Sequence, residues 1–210
     1  MIPSTIQKQG ILNKLLEQVI KILLTKECNK IGKIKIDINS CTKKIVKGEI
    51  DKINIFAKDI DYKDLLFDEL ELEANNLKIN FQIIKKKLYF KNDPIIKFKI
   101  SLSHNSLKAV LFSNNWTWIK NMLSEDILNL EKLEGIKIKN DKLFIYTSVE
   151  KKNFINSPQI EIKTYKGKIF LKNSNLNKTV QIPIEEKIYI EKVNIINNLI
   201  NIFGNSSISF

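Results

Sequence analysis

The chain contains no arginine: all 35 of its basic residues are lysine, in a sequence of 210 residues. That absence removes the planar guanidinium fork that pairs bidentately with phosphates and with guanine edges. The net charge of +12 and the isoelectric point near 9.5 therefore describe a diffuse positive field rather than a set of reading groups. Cysteine is nearly as scarce. Cys28 and Cys41 cannot build a disulfide framework, and neither has a partner at metal-ligand spacing. They read as two reduced, small hydrophobic residues, which points to a cytosolic protein. The single histidine, His104, sits at a strand-to-helix boundary with no nucleophile motif around it and reads as a turn or cap residue. With 6 glycines in the whole chain there is no glycine-rich loop to cradle phosphate. Asp59 and Asp61 share a strand face, and Glu185 and Glu186 are adjacent. Without an apolar pocket or metal ligands beside them, these carboxylates read as solvated. No catalytic group, metal site or cofactor is expected.

Long apolar runs are also missing. Ile11 to Leu24 is interrupted by Lys14, Glu17 and Lys21, so it neither spans a bilayer nor serves as a signal core. The opening MIPSTIQKQG lacks a basic-then-apolar signal layout. The expectation is a cytoplasmic chain that meets membranes peripherally.

What the sequence does have is 43% hydrophobic residues, ample for a core. Isoleucine, asparagine and lysine are heavily used throughout, as AT-rich coding produces. Length and the lack of a linker or internal repeat predict one domain over residues 1–210. A first helix is predicted from Ser4 or Thr5 to Lys26. Ile11, Leu12, Leu15, Leu16, Val19, Ile20, Leu23 and Leu24 cover more than half its circumference. So wide a stripe fits a helix wrapped by its partner or flanked by lipid; it also fits a plainly buried core helix. Ile34, Ile36 and Ile38 then alternate with polar residues as a first strand.

The stretch from Gly48 to Phe81 organises the rest. Ile53 and Ile55 alternate with Lys52 and Asn54; Leu70, Leu72 and Ala74 alternate with Glu69, Glu71 and Glu73. Period-two alternation gives each strand one apolar and one wet face. Between them, Asp59 to Leu65 is too polar for a core strand and is predicted to cross over, dipping Ile60, Tyr62 and Leu65 onto the apolar face. Gly48 opens the unit where a sharp entry favours a residue tolerant of positive φ.

Further along, Lys85, Lys86 and Lys87 precede Tyr89 and Phe90. This grouping fits a membrane headgroup layer, and equally a solvated turn. Asn92-Asp93-Pro94 is a turn, followed by an alternating strand through Ile96, Phe98, Ile100 and Leu102. Ser103 is placed to cap a second helix carrying Leu107, Val110, Leu111, Trp116, Trp118, Ile119, Met122 and Leu123, with a break at Asn114-Asn115. From Leu133 onwards the chain reads as hairpins, with turns at Asn140-Asp141 and Lys166-Gly167. Pro183 confines the Val180–Ile184 strand to an edge or a bulge. One continuous meander sheet is the expected result.

The order glycine, alternating strand, Ala-x-x-x-x-Tyr-x-x-Leu crossing and second alternating strand resembles the LmeA-like phospholipid-binding family. It is carried by Gly48, Ile50, Ile53, Ile55, Ala57, Tyr62, Leu65, Leu70, Leu72, Ala74, Leu77, Ile79 and Asn80. The likeness runs from the first helix to about Asn129 and more loosely beyond. Where the family has an acid-Leu-Asn helix cap, this chain has His104-Asn105-Ser106-Leu107, so that cap chemistry does not carry over. The resemblance implies an α+β fold: a strongly curved antiparallel sheet wrapped around a long N-terminal helix, with a shorter helix mid-chain. It also implies lipid chains held between them.

On that basis the expected function is non-enzymatic phospholipid binding at the periphery of an anionic membrane. The acyl chains are expected to be lined by Ile11, Leu15, Val19 and Leu23 of the first helix with Leu111, Trp118 and Met122 of the second. Lys85, Lys86, Lys87, Tyr89 and Phe90 are the expected membrane-surface residues. The competing readings are a lysine-rich nucleic-acid binder and a structural interaction domain. Against the former stand the missing arginine and the lack of a single-strand platform or groove-reading element.

Overall fold

The computed structural model describes residues 10–82, 87–128, 132–147, 158–173 and 175–207; for 81, 82, 87 and 88 only the backbone is described. The first helix, α1 (Ile11–Glu27), begins after Gly10, whose extended backbone accepts hydrogen bonds from the Asn13 and Lys14 amides. The start therefore lies later than the Ser4 or Thr5 read from the sequence, both of which fall outside the described residues. Leu16, Val19 and Ile20 are buried, while Ile11, Leu15 and Ile22 are exposed. The broad apolar stripe is thus only partly covered.

Next come β1 (Lys30–Asn39), the short helix α2 (Thr42–Val46), β2 (Glu49–Tyr62), β3 (Leu65–Gln82), β4 (Lys87–Phe90) and β5 (Ile95–Leu102). The predicted crossing between residues 59 and 65 is not a separate segment. β2 runs on to Tyr62 and turns through Lys63 and Asp64 alone, at φ of 53° and 66°. Two consecutive positive φ values are what a type I′ hairpin turn requires, and its twist matches the flanking strands. Asn140-Asp141 (50° and 56°), Lys166-Gly167 (48° and 75°) and Asn197-Asn198 (54° and 57°) make turns of the same kind.

The apolar face of β2 also departs from strict alternation. Ile50 and Ile53 are both buried, as are Ala57 and Ile60. Each pair is three residues apart, so the strand changes phase between them. Asp59 at φ 53° marks the second change on β2, and Asn76 at φ 54° lies across from the first on β3. Such bulge-like irregularities keep one face apolar along a 14-residue strand. Gly48 turns the chain into this unit at φ +78°. A Cβ there would lie 2.1 Å from the Ile79 carbonyl oxygen, so only glycine fits.

After β5 come α3 (His104–Leu111) and α4 (Thr117–Met122), then a π-helical turn, Leu123–Ile127. Ser103 caps α3, its hydroxyl accepting the Ser106 amide at 3.3 Å. The C-terminal hairpins are β6 (Leu133–Lys139), β7 (Lys142–Thr147), β8 (Gln159–Tyr165), β9 (Lys168–Asn173), β10 (Lys178–Ile182), β11 (Ile188–Ile196) and β12 (Leu199–Ser207).

They do not extend a single sheet as the sequence suggested. The first sheet has the order β1-β2-β3-β5-β12-β11 with β4 on the far end of β3; the second has the order β10-β9-β8-β7-β6. Every pairing among the described residues is antiparallel. The chain leaves the first sheet after β5, builds the second, and returns to lay β12 against β5. The split has a physical reason: α1 covers only part of the first sheet's apolar face. The remainder, Leu102, Ile190 and Ile200, shares a core with Leu111 of α3 and with Ile136, Ile145, Ile160 and Leu171 of the second sheet. A separate core joins Leu16 and Ile20 of α1 to Ile38, Ile50, Ile53, Ala74, Leu77 and Ile79. The Asn140-Asp141 and Asn197-Asn198 turns tie the sheets together. The Asn198 amide donates to Asp141 Oδ1 at 2.7 Å and the Asp141 amide to Asn198 Oδ1 at 3.2 Å.

Candidate functional site: an apolar cavity beneath the first helix

An apolar cavity of about 400 Å³ lies between α1 and the first sheet. The C-terminal half of α1 roofs it with Ile20, Leu23 and Leu24, residues brought to one side by the helical repeat. The floor is set by strand register: Ile53, Ala74 and Ile96 are direct neighbours across β2, β3 and β5. Ile55 and Leu72 form the adjacent row, Leu77 and Ile79 lie further along β3, and Phe90 of β4 closes one side. Ala74 is the one small residue among the described lining, and its methyl group leaves the space that a larger side chain would fill. Among the described residues, Glu27 is the only charged one of the lining, at the last turn of α1.

This geometry suits partitioning rather than bond chemistry. The volume falls in the range of ~300–1,000 Å³ typical of small-molecule sites. Among the described residues, no group of three or more His, Cys, Asp or Glu could hold a metal ion. No described helix is long and apolar enough to cross a membrane.

Of the residues singled out from the sequence, Leu23 lines this cavity, while Val19 is buried on the same helix but is not in the lining. Ile11 and Leu15 point outward, 80% and 41% exposed. Leu111 is in the other core, against a smaller apolar cavity of about 160 Å³ that also touches Ile119 and Leu123. Met122 is half-buried, and Trp118 is exposed. α1 and α3 thus serve two different cores. Six further lining residues, Ile53, Ile55, Leu72, Ala74, Leu77 and Ile79, are apolar positions of the two long strands. Their alternation was visible in the sequence, but not which helix would cover them.

Tyr89 and Phe90, adjacent on β4, face opposite ways as strand neighbours do. Tyr89 is exposed, and Phe90 turns inward to the cavity rather than to a membrane surface. Lys85 and Lys86, and the Lys87 side chain, lie outside the described residues.

The lysine field is locally neutralised on the outer face of the first sheet. Lys58 pairs with its cross-strand neighbour Glu69 at 2.6 Å, Lys99 with Glu71 at 2.7 Å, and Lys52 with Glu73 at 2.6 Å. The ion pair with Glu69 raises the Lys58 pKa, and hydrogen bonds from Lys52 and Asn75 lower that of Glu73. A surface groove of about 600 Å³ on this face is lined by Lys35, Lys97 and Lys99 but equally by Asp37, Glu71 and Glu73. Mixed signs of this kind do not make a track for a polyanion.

His104, at the start of α3, has its pKa lowered by burial and by Lys108 and Lys137, and its Nδ1 is buried without a hydrogen-bond partner. Cys28, next to Asp61 and Glu27, has its thiol pKa raised by burial first and then by the two carboxylates. Cys41 is exposed. Cys41 and His104 are not among the residues that line the cavity, while Cys28 directly follows the lining residue Glu27. No protein-family model, curated protein or solved structure matches the chain.

Proposed function

We propose that the protein is a non-enzymatic lipid-binding module that holds an acyl chain of a phospholipid between α1 and the first sheet, which curves around that helix. The observation that carries this reading is the cavity of about 400 Å³ with one charged residue, Glu27, among its twelve described lining residues. A space of that character gains from removing methylenes from water and offers nothing to a polar metabolite. Each buried methylene contributes about 0.8 kcal/mol, so about ten of them supply roughly 8 kcal/mol before the cost of association. No catalytic group is needed for such binding. The positive net charge acts in this reading as a long-range attraction to anionic membranes, where each lysine near the surface contributes about 1 kcal/mol.

The test is a chain-length series. Lysophosphatidylcholines of increasing acyl length are titrated into the protein and affinities are read by calorimetry. Affinity should rise about fourfold per methylene, from 0.8 kcal/mol each, and then level off when the cavity is full. An affinity independent of chain length would remove the acyl-binding reading. Binding to DNA or RNA at physiological salt, tighter than to any acyl ligand, would put the lysine field in its place.

A further inference from the structure

The tip of the β2–β3 hairpin and the link between α3 and α4 meet at one end of the molecule, and together they present aromatic rings and lysines to solvent. The Trp116 indole N–H donates to the Lys63 carbonyl at 3.0 Å, and Asn115 Nδ2 donates to Asp64 Oδ2 at 2.7 Å. These two bonds fix the tip against the link. Around the junction, Tyr62 is 36% exposed, Trp118 39% and Phe112 42%. α4 has no fully buried side chain at all. The Trp116 and Trp118 rings lie 6.2 Å apart, the Lys120 ammonium sits 4.4 Å from the Phe112 ring centre, and that of Lys63 lies 5.1 Å from Tyr62.

We propose that this end docks on an anionic phospholipid bilayer, with Phe112 and Trp118 entering the headgroup layer and Lys63 and Lys120 contacting lipid phosphates. Two features single out a bilayer. Tryptophan and tyrosine are the side chains that favour a boundary wet on one side and apolar on the other. Lysines stacked beside those rings keep their stems on apolar surface and their charges free for an anion. The nearby carboxylates keep their charges while accepting neutral donors, the Asp64 amide and Asn29 on Asp61 and Asn115 on Asp64, so they offset part of the lysine field at this end. The same contacts place this end beside the cavity. Asn29, two residues beyond Glu27, is bonded through its amide to the Asp61 carbonyl at 2.8 Å, next to Tyr62. A bilayer at the hairpin tip therefore meets the C-terminal turn of α1, which roofs the cavity. The docking surface stands on its own observations and does not require the cavity to hold a lipid.

Trp116 and Trp118 are the 2 tryptophans of the chain, so intrinsic fluorescence reports on this surface alone. The experiment titrates the protein with vesicles of phosphatidylcholine, without and with phosphatidylserine, some carrying brominated acyl chains. The expected result is a blue shift and bromine quenching with phosphatidylserine vesicles, weakening as salt rises. Lys63→Gln and Lys120→Gln should each weaken vesicle binding about fivefold and together about 25-fold, from about 1 kcal/mol per lysine. Phe112→Ser should abolish the quenching while far-ultraviolet dichroism stays unchanged. Vesicle co-sedimentation without any tryptophan shift or quenching would overturn the proposal, because another face would then be docking. So would equal binding to both vesicle types, or no binding to either. Loss of acyl-ligand affinity with intact vesicle docking would instead count against the cavity alone.

Discussion

Replacing Gly48 by alanine is predicted to be among the most damaging single-methyl changes in the chain. Two costs combine at this position. An L-residue held in the left-handed region costs roughly 1–2 kcal/mol, and Gly48 sits at φ +78°. The added Cβ also meets the Ile79 carbonyl oxygen at 2.1 Å, which is backbone of a paired strand and cannot rotate away. Relieving that contact strains the hydrogen bond from the Ile79 amide to the Gly48 carbonyl, now 2.7 Å long, worth about 0.5–1.5 kcal/mol. Together these give a loss of about 1.5–3.5 kcal/mol. For a chain of this size that lowers Tm by roughly 3–14 °C. Urea titration and thermal melts read the change directly. Gly48→Asn separates the two causes, because asparagine tolerates positive φ but carries the same Cβ. If the carbonyl contact dominates, asparagine fares about as badly as alanine. A Gly48→Ala variant within about 0.5 kcal/mol of the parent would refute the account of how the chain enters β2.

Further outcomes follow from the two-core arrangement. Leu111→Ala should cost about 2–5 kcal/mol, since Leu111 is 2% exposed in the core beneath α3. It should leave acyl-ligand affinity unchanged, and urea melts paired with calorimetry check both halves. His104 is held below its ordinary pKa by burial and two lysines, so the unfolded chain takes up its proton first. Its contribution to stability is complete above about pH 6.5 and falls as pH drops towards the lowered folded value. His104→Asn should flatten the stability–pH profile in that window relative to the parent. Cys41 is exposed, whereas the Cys28 thiol is partly covered and its pKa raised. At neutral pH a thiol reagent should therefore modify Cys41 first, as peptide mass mapping over time reports.

Much of the strand content was legible because burial on one face imposes period two. Ile34 to Ile38, Ile53 and Ile55, Leu70 to Ala74 and Ile96 to Leu102 all lie in strands. Ser103 was readable as a cap, and Asn140-Asp141 and Lys166-Gly167 as turns, because those chemistries are local. The Lys63-Asp64 turn was not, since it has neither asparagine nor glycine and follows a phase change at Asp59 that disguises the strand. The division into two sheets was hidden for a different reason. It depends on how much of the first sheet α1 can cover, and on β12 returning to β5 across about a hundred residues, as in the Ser101–Asn201 hydrogen bond. The pairing of Glu69 with Lys58 and of Glu71 with Lys99 likewise needs the cross-strand register. The lysine count alone therefore overstated the unpaired basic surface. For the site, Leu23 and the alternating residues of β2 and β3 were within reach of sequence. The pairing of α1 with those strands rather than with the Leu111 helix was a long-range fact that no local pattern encodes.

Native mass spectrometry of the protein purified from cells, alongside an Ala74→Phe variant, tests the central claim most directly. Ala74 lies in the middle of the cavity floor, between Ile53 and Ile96, and a phenyl ring there takes up the acyl space. Overpacking an already filled core would cost about 1–3 kcal/mol, whereas entering an open cavity should cost less. The account predicts a phospholipid adduct on the parent protein and its loss from a variant that melts within a few degrees of the parent. A parent without adduct that also takes none up from added phospholipid would contradict it. An adduct equally abundant on both proteins would place the lipid elsewhere.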